Sequence, residues 1–205
     1  MASSGKNQSH SLGISILEKI LSDSIRKNPA SKLTGKEFEY LPAASVCLIV
    51  REISSATSPE ILLLQRNVST RDPWSGQMAF PGGRSRPGET AEETVIREVS
   101  EETKIDLSSL ELLSLNQVVP GNLSIKVSPF VAFLHQPVDV EIDGVEIVEY
   151  FWIPISYFMD QNNLSIHTIT RDGTTFQVPA FIYQDKHVIW GMTLAIIRDF
   201  LLRIH

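Results

Sequence analysis

A chain of 205 residues with 42% hydrophobic and 20% charged side chains has the make-up of a globular protein: one domain that buries a sizeable core, with room for a small extension. Its 18 basic and 24 acidic residues leave a net charge of −6, which argues against a general nucleic-acid binder; a negative substrate would need a metal and a few arginines acting locally. Cys47 is the only cysteine, so no internal disulfide can form, and its apolar surroundings suit a small buried hydrophobe.

The N-terminus, MASSGKNQSH, lacks the apolar core of a signal peptide, and no apolar run reaches the ~18–20 residues of a membrane span. An intracellular, cytoplasmic location is expected, with an organelle left open. Residues 1–11 are polar and read as a tail. Leu12, Ile14, Ile16, Leu17, Ile20 and Leu21 make a partly amphipathic helix to about Ile25, packing on its own domain or on a partner. Residues 28–40 read as a linker, so residues 1–40 form a tail, helix and linker ahead of a domain over 41–205.

Continuous apolar, β-branched character makes Ala43 to Val50 a buried strand, and Ile61 to Leu64 pairs with it as a hairpin. Met78 to Pro81 returns as a short strand before a Gly82-Gly83 turn. Beyond the next helix, strands are expected from Leu110 to Val119 and from Ile125 to Leu134, where Pro129 suggests an edge or a bulge. Val138 to Val145 is an acidic loop with an Asp143-Gly144 turn. Glu149 to Ile153 is a strand and Ile155 to Met159 a short helix. Leu164 to Thr170 and Thr175 to Pro179 form a hairpin around Asp172-Gly173, and Phe181 to Tyr183 with His187 and Val188 would extend the sheet. A last helix, Trp190 to Ile204, carries an apolar stripe. Strands mixed with helices give an α+β domain with a mixed sheet covered by helices.

The most informative stretch is FPGGRSRPGETAEETVIREVSEETKI, Phe80 to Ile105. Thr90 and Glu93 form a capping box at a helix start. Val95, Ile96, Val99 and Thr103 share an apolar side, while Glu98, Glu101 and Glu102 share another at i, i+3, i+4. Like charges so placed cost about 0.2–0.5 kcal/mol per pair. They form either a solvated acidic face or a site that wants a counter-charge, from Arg97 or, better, from a divalent cation, since Mg²⁺ takes hard oxygen ligands and pairs with phosphates.

Gly83, Glu89, the run Arg97-Glu98-Val99-Ser100-Glu101-Glu102, and Ile105 stand at the offsets of the Nudix box, so the chain resembles the Nudix hydrolases, enzymes that cleave nucleoside diphosphates linked to another moiety. One position departs: the glycine expected near the helix end is Lys104, where a left-handed exit would cost a lysine about 1 kcal/mol. LLLQRNVSTRDPWSGQMAFPGG, Leu62 to Gly83, is similar to the additional motif of coenzyme A pyrophosphatases within that family. Leu62-Leu63, Arg66, Arg71, Gly76 and Phe80-Pro81-Gly82-Gly83 match it, although four residues separate Arg71 from Gly76 where three are usual, and Asn67 replaces Ser or Ala. EIVEYFWIPI and VIWGMTLAIIRDFLL also resemble that subgroup.

The resemblance implies an α/β/α sandwich with a mixed sheet and a metal-dependent pyrophosphohydrolase. Glu98, Glu101 and Glu102 would hold Mg²⁺ or Mn²⁺ and carry the catalysis, with Arg97 orienting them. One box glutamate, or an acid from a later loop, would take a proton from the attacking water. Gly82 and Gly83 would let the backbone approach metal or phosphate, and Glu89 would tie the loop to the helix. Arg66 and Arg71 would bind substrate phosphate or else pair with acidic neighbours. Trp74 would stack on an adenine or cover its loop, and Glu146 and Glu149 are a base, a ligand or solvated strand ends. The implied substrate is coenzyme A or its thioesters, cleaved to 3′,5′-ADP and (acyl-)phosphopantetheine. ADP-ribose, a dinucleoside polyphosphate or an oxidised nucleotide is the alternative, and a non-catalytic nucleotide-sensing module the reading from another class. The implied partner is thus a small nucleoside diphosphate derivative, with no nucleic acid and no membrane span; a homodimer is left open.

Overall fold

The structure is a computed structural model that describes residues 13–39, 41–53, 58–68, 75–120, 124–171 and 173–205. Helix α1 (Ile14–Lys27) starts where the Ile14 N–H donates to Glu52 Oε2 at 3.2 Å. Ile14, Leu17 and Leu21, at i, i+3 and i+7, are its buried stripe and enter the main core, so the helix packs on its own domain. A short helix α2 (Lys36–Glu39) lies in the expected linker.

Strand β1 (Ala43–Arg51) is the axis of the main sheet. Its side chains alternate between two cores: Val46, Leu48 and Val50 enter one, Cys47 and Ile49 the other, which is why the run reads as continuously apolar. Strand β2 (Glu60–Arg66) pairs with it antiparallel only at Val50↔Ile61 and Arg51↔Glu60; beyond that the two strands part. The gap is filled by β3 (Met78–Ala79), which pairs β2, and β4 (Gly82–Arg84), which pairs β1. The Cys47 N–H donating to the Pro81 carbonyl at 2.9 Å closes the wedge. The Phe80–Gly83 segment therefore sits inside a split in the sheet.

Helix α3 (Ala91–Thr103) covers one face. The strand expected over 110–119 shrinks to β5 (Leu113–Ser114) plus one bridge, Val118↔Val127. Strand β6 (Lys126–Leu134) runs parallel to β1 in unbroken register, which makes the sheet mixed. Pro129 thus lies neither on an edge nor in a bulge: β6 stands between β1 and β5. Its carbonyl points away from β1, to the Leu115 N–H at 2.9 Å, and a strand residue's N and C=O share one side, so the missing N–H breaks no bond to β1. Strand β7 (Ile147–Pro154) pairs the outer edge of β2 and leads into helix α4 (Ile155–Met159).

Strands β8 (Leu164–Arg171), β9 (Thr174–Tyr183) and β10 (His187–Trp190) form a second, three-stranded antiparallel sheet and do not extend the first as expected. The sheets meet where His187 Nδ1 and Gln65 Oε1 lie 3.0 Å apart. Trp190 ends β10; helix α5 (Gly191–Ile204) starts one residue later and buries Leu194, Ile197 and Phe200 opposite α3. Helices thus cover both faces of a mixed sheet, an α/β/α sandwich. Among the described residues, no helix is long and apolar enough to cross a membrane.

Candidate active site

Helix α3 starts where the sequence says it must. The Glu93 N–H donates to Thr90 Oγ1 at 3.1 Å and the Thr90 N–H donates back to Glu93 Oε2 at 2.8 Å. Val95, Val99 and Thr103 are fully buried, so the opposite arc of the helix is fixed. Its C-terminus turns through Lys104 at φ 61°, ψ 9°, the left-handed conformation that a glycine would adopt freely. The lysine keeps that exit and bears its cost of about 1 kcal/mol.

Arg97 organises the polar wall. Its Nε and Nη2 donate to the two oxygens of Glu89 at 2.6 and 2.8 Å, a two-pronged pair. Nη2 also donates to the Arg84 carbonyl at 3.1 Å, and Nη1 to Glu98 Oε1 at 2.7 Å and Glu101 Oε2 at 3.3 Å. Glu89 further accepts from the Arg86 N–H and from Thr94 Oγ1, so it does tie loop to helix. The Arg97 guanidinium first, then the Arg86 N–H, hold its carboxyl down at about 2.

Glu102 has the opposite environment. Its side chain is only 10% exposed, and burial pushes its carboxyl up to about 8, against the pull of the Gly82 N–H and Arg66 and with the help of Glu146 and Glu98. The Gly82 N–H donates to Oε2 at 2.8 Å, and Arg66 Nη1 stands 3.6 Å from Oε1. Arg66 also donates to Glu146 Oε1 at 2.7 Å. A residue at the end of β2 and a backbone group at the start of β4 therefore meet the same α3 carboxylate inside the split.

Both glycines are required by close approach. A Cβ on Gly82, which has φ 146°, would overlap the Ser45 carbonyl and Val46 Cα; one on Gly83 would overlap the Glu98 carboxylate. Glu98 lies over Gly83, and Glu98 and Glu102 both line a cleft of about 470 Å³. Arg66, Arg84 and Glu146 join them. Among the described residues, the other side chains of the lining are apolar, from Ala44, Val46, Ala79, Phe80, Val127 and Met192.

The residues singled out in the sequence thus divide. Glu98, Glu102, Arg66, Gly82 and Gly83 converge on the cleft. Glu101 is absent from its lining; half exposed, it pairs with Arg86 at 3.0 Å and Arg97 at 3.3 Å. Among the described residues, no three acidic, histidine or cysteine side chains gather into a ready cation site. Glu146 enters the cleft, whereas Glu149 lies 3.7 Å from Lys186 and 3.8 Å from His187. Arg71 and Trp74 lie outside the described residues. Sequence reasoning missed Arg84 and the apolar lining. Arg84 follows Gly83 directly, so its neighbourhood was a signal; Val46, Val127 and Met192 gave none, because they belong to three elements far apart in the chain.

The profile described as NUDIX domain matches residues 40–170, more than half of the chain. A Nudix hydrolase of Photorhabdus laumondii, NudL, is 31% identical over 144 residues, covering 69% of this chain and 75% of the relative. Nudix hydrolase 3 of Caenorhabditis elegans is 27% identical over 181 residues, covering 80% and 75%. A MutT/nudix family protein from Enterococcus faecalis superposes with a TM-score of 0.55 at 17% identity, covering 98% of this chain and 75% of that one, a likeness of fold. The box at its offsets, the split sheet with two glutamates inside it, and these matches lead to one conclusion: the chain belongs to the Nudix hydrolase family, enzymes that act on pyrophosphate bonds.

Proposed function

We propose that this enzyme cleaves the diphosphate of coenzyme A or its thioesters, giving 3′,5′-ADP and (acyl-)phosphopantetheine, with a divalent cation, Mg²⁺ or Mn²⁺, at the box glutamates. The observation that carries the substrate is where the coenzyme A-type motif lies. Of Leu62 to Gly83, the described matching residues other than Gly76 run along β2 to Arg66 and through the Phe80–Gly83 wedge, and Arg66, Phe80, Gly82 and Gly83 line the cleft.

The residues fit a hard cation in donor chemistry. Glu98 and Glu102 present carboxylate oxygens to one cleft, and burial raises the Glu102 carboxyl to about 8, a cost that an added positive charge would offset. Glu101 would join them on leaving Arg86. When bound, the ion would offset the diphosphate charge and polarise the bond to be broken. Arg97 keeps Glu98 in place, and Gly83 leaves room for that carboxylate beside the backbone. Arg66 holds Glu102 and Glu146 and is within reach of a phosphate in the same cleft; Arg84 adds a second cation there. A box glutamate, or Glu146, takes the proton of the attacking water.

The test is a panel of coenzyme A, acetyl-coenzyme A, ADP-ribose, dinucleoside polyphosphates and oxidised nucleotides, with product masses read with and without EDTA. Release of 3′,5′-ADP that stops in EDTA is expected. Cleavage of ADP-ribose with none of coenzyme A would overturn the substrate, and full turnover after chelation would overturn the cation.

A further inference from the structure

The two sides of the cleft differ in kind. Among the described residues, every charged group lining it, Arg66, Arg84, Glu98, Glu102 and Glu146, comes from β2, β4, α3 or the residue just before β7, whereas Val46 on β1, Val127 on β6 and Met192 on α5 contribute only hydrocarbon and one thioether. Neither valine is free to move. They are 7% and 1% exposed, and their β-branched side chains have few rotamers on strands locked in parallel register, Ala44↔Val127 and Val46↔Pro129. Met192 is partly buried on the first turn of α5, where Thr193 Oγ1 donates to the Met78 carbonyl at 2.9 Å and pins that turn to β3. Its backbone is fixed while its unbranched side chain adapts.

This wall is unsuited to a nucleobase or a sugar. Among the described lining residues, it offers no side-chain hydroxyl or amide to the edge of a base or to a ribose hydroxyl. A hydroxylated group pressed against it would lose water without gaining a hydrogen bond. The wall lies in the same cleft as the carboxylates, so its occupant is attached close to the diphosphate.

Coenzyme A carries two groups beside its diphosphate. One is a hydroxylated ribose; the other is a quaternary carbon with two methyl groups, one methylene from the phosphate ester. We infer that the Val46, Val127 and Met192 wall is a subsite for a branched, hydrocarbon-rich carbon next to the diphosphate, with Met192 as its specificity-determining residue. On the coenzyme A reading, on which this choice of group rests, the pantetheine end lies along β1, β6 and α5, and the adenosine end leaves towards Arg84.

Synthetic ADP esters test the subsite separately from the coenzyme A reading. The intact enzyme is given ADP carrying a 2,2-dimethylpropyl or an ethyl ester on its β-phosphate, alongside coenzyme A and ADP-ribose. Three extra carbons, partly buried, should raise kcat/KM for the branched ester about tenfold over the ethyl ester. Met192→Gln and Val46→Thr should lower that ratio severalfold. Cleavage of coenzyme A with no preference between the esters overturns the subsite and leaves the substrate reading standing. Preference for the branched ester with no cleavage of coenzyme A does the reverse. An undiminished ratio in folded Met192→Gln and Val46→Thr removes the role from those residues.

Discussion

The two walls of the cleft are built by different rules. Among the described residues, except for Arg66 and Glu146, the polar wall comes from a single stretch, residues 82–102, and is held by bonds within that stretch: Arg97 to Glu89, Glu98 and Glu101, and Gly82 to Glu102. The apolar wall is assembled from β1, β6 and α5 and has no polar bonds between its side chains; backbone register and one anchored helix turn hold it. Chemistry that every member of a family shares can be carried by one contiguous segment. Selection among substrates can then change by repacking distant elements without disturbing it.

Three perturbations would break or sharpen this contrast. The largest effect is expected from Glu102→Gln, which strikes the polar wall alone. Turnover should fall about 10²–10³-fold, read from initial rates with saturating cation. Stability without cation should move the other way. Folded Glu102 holds its proton to about 8, against 4.5 for a free carboxyl, so between those values the folded state binds more protons than the unfolded chain. Stability from this group is present below pH 4.5 and drains away as pH rises through 8. Glu102→Gln keeps an acceptor for the Gly82 N–H and removes that slope, so at pH 8 in EDTA the variant should be more stable by on the order of 4 kcal/mol. Thermal melts across pH 5–9 would check it, and a parallel slope in the variant would contradict it.

Next come the two glycines, which separate backbone from side-chain crowding at the same wall. Gly82→Ala would drive a Cβ into the backbone of β1 at a φ that L residues rarely adopt, costing about 3 kcal/mol or more. Gly83→Ala meets only the end of the Glu98 side chain, which can swing aside. Its stability loss should stay near 1 kcal/mol while turnover drops at least about tenfold. Urea unfolding beside steady-state rates distinguishes the two, and equal unfolding losses would mean that Glu98 cannot yield.

The smallest effect concerns the helix end. Lys104→Gly relieves a left-handed lysine and should raise stability by about 1 kcal/mol, about 2–4 °C in Tm for a chain of this size, with kcat unchanged because Lys104 does not line the cleft. A fall in kcat would show that the exit turn also positions Glu101 or Glu102.

The sequence by itself determined what depends on neighbours within a few residues. The Thr90–Glu93 cap, the buried Val95–Val99–Thr103 side, the i, i+4 pairing of Glu98 and Glu102, and Glu89 as the tie between loop and helix all follow from helical geometry and charge, and all stand in the structure. So do the β1–β2 pairing and the β8–β9 hairpin, marked by apolar runs around turn residues. Tertiary structure decided which two of three neighbouring glutamates enter the cleft. Residues 101 and 102 lie about 100° apart around the helix, and the split admits the side with Glu98 and Glu102 while Arg86 and Arg97 take Glu101. It also decided that Arg66 holds carboxylates, that Glu146 is in and Glu149 out, and that the last strands form a sheet of their own. These outcomes turn on where β1 and β2 part and how α5 returns across them, contacts between residues far apart in the chain that no local pattern encodes.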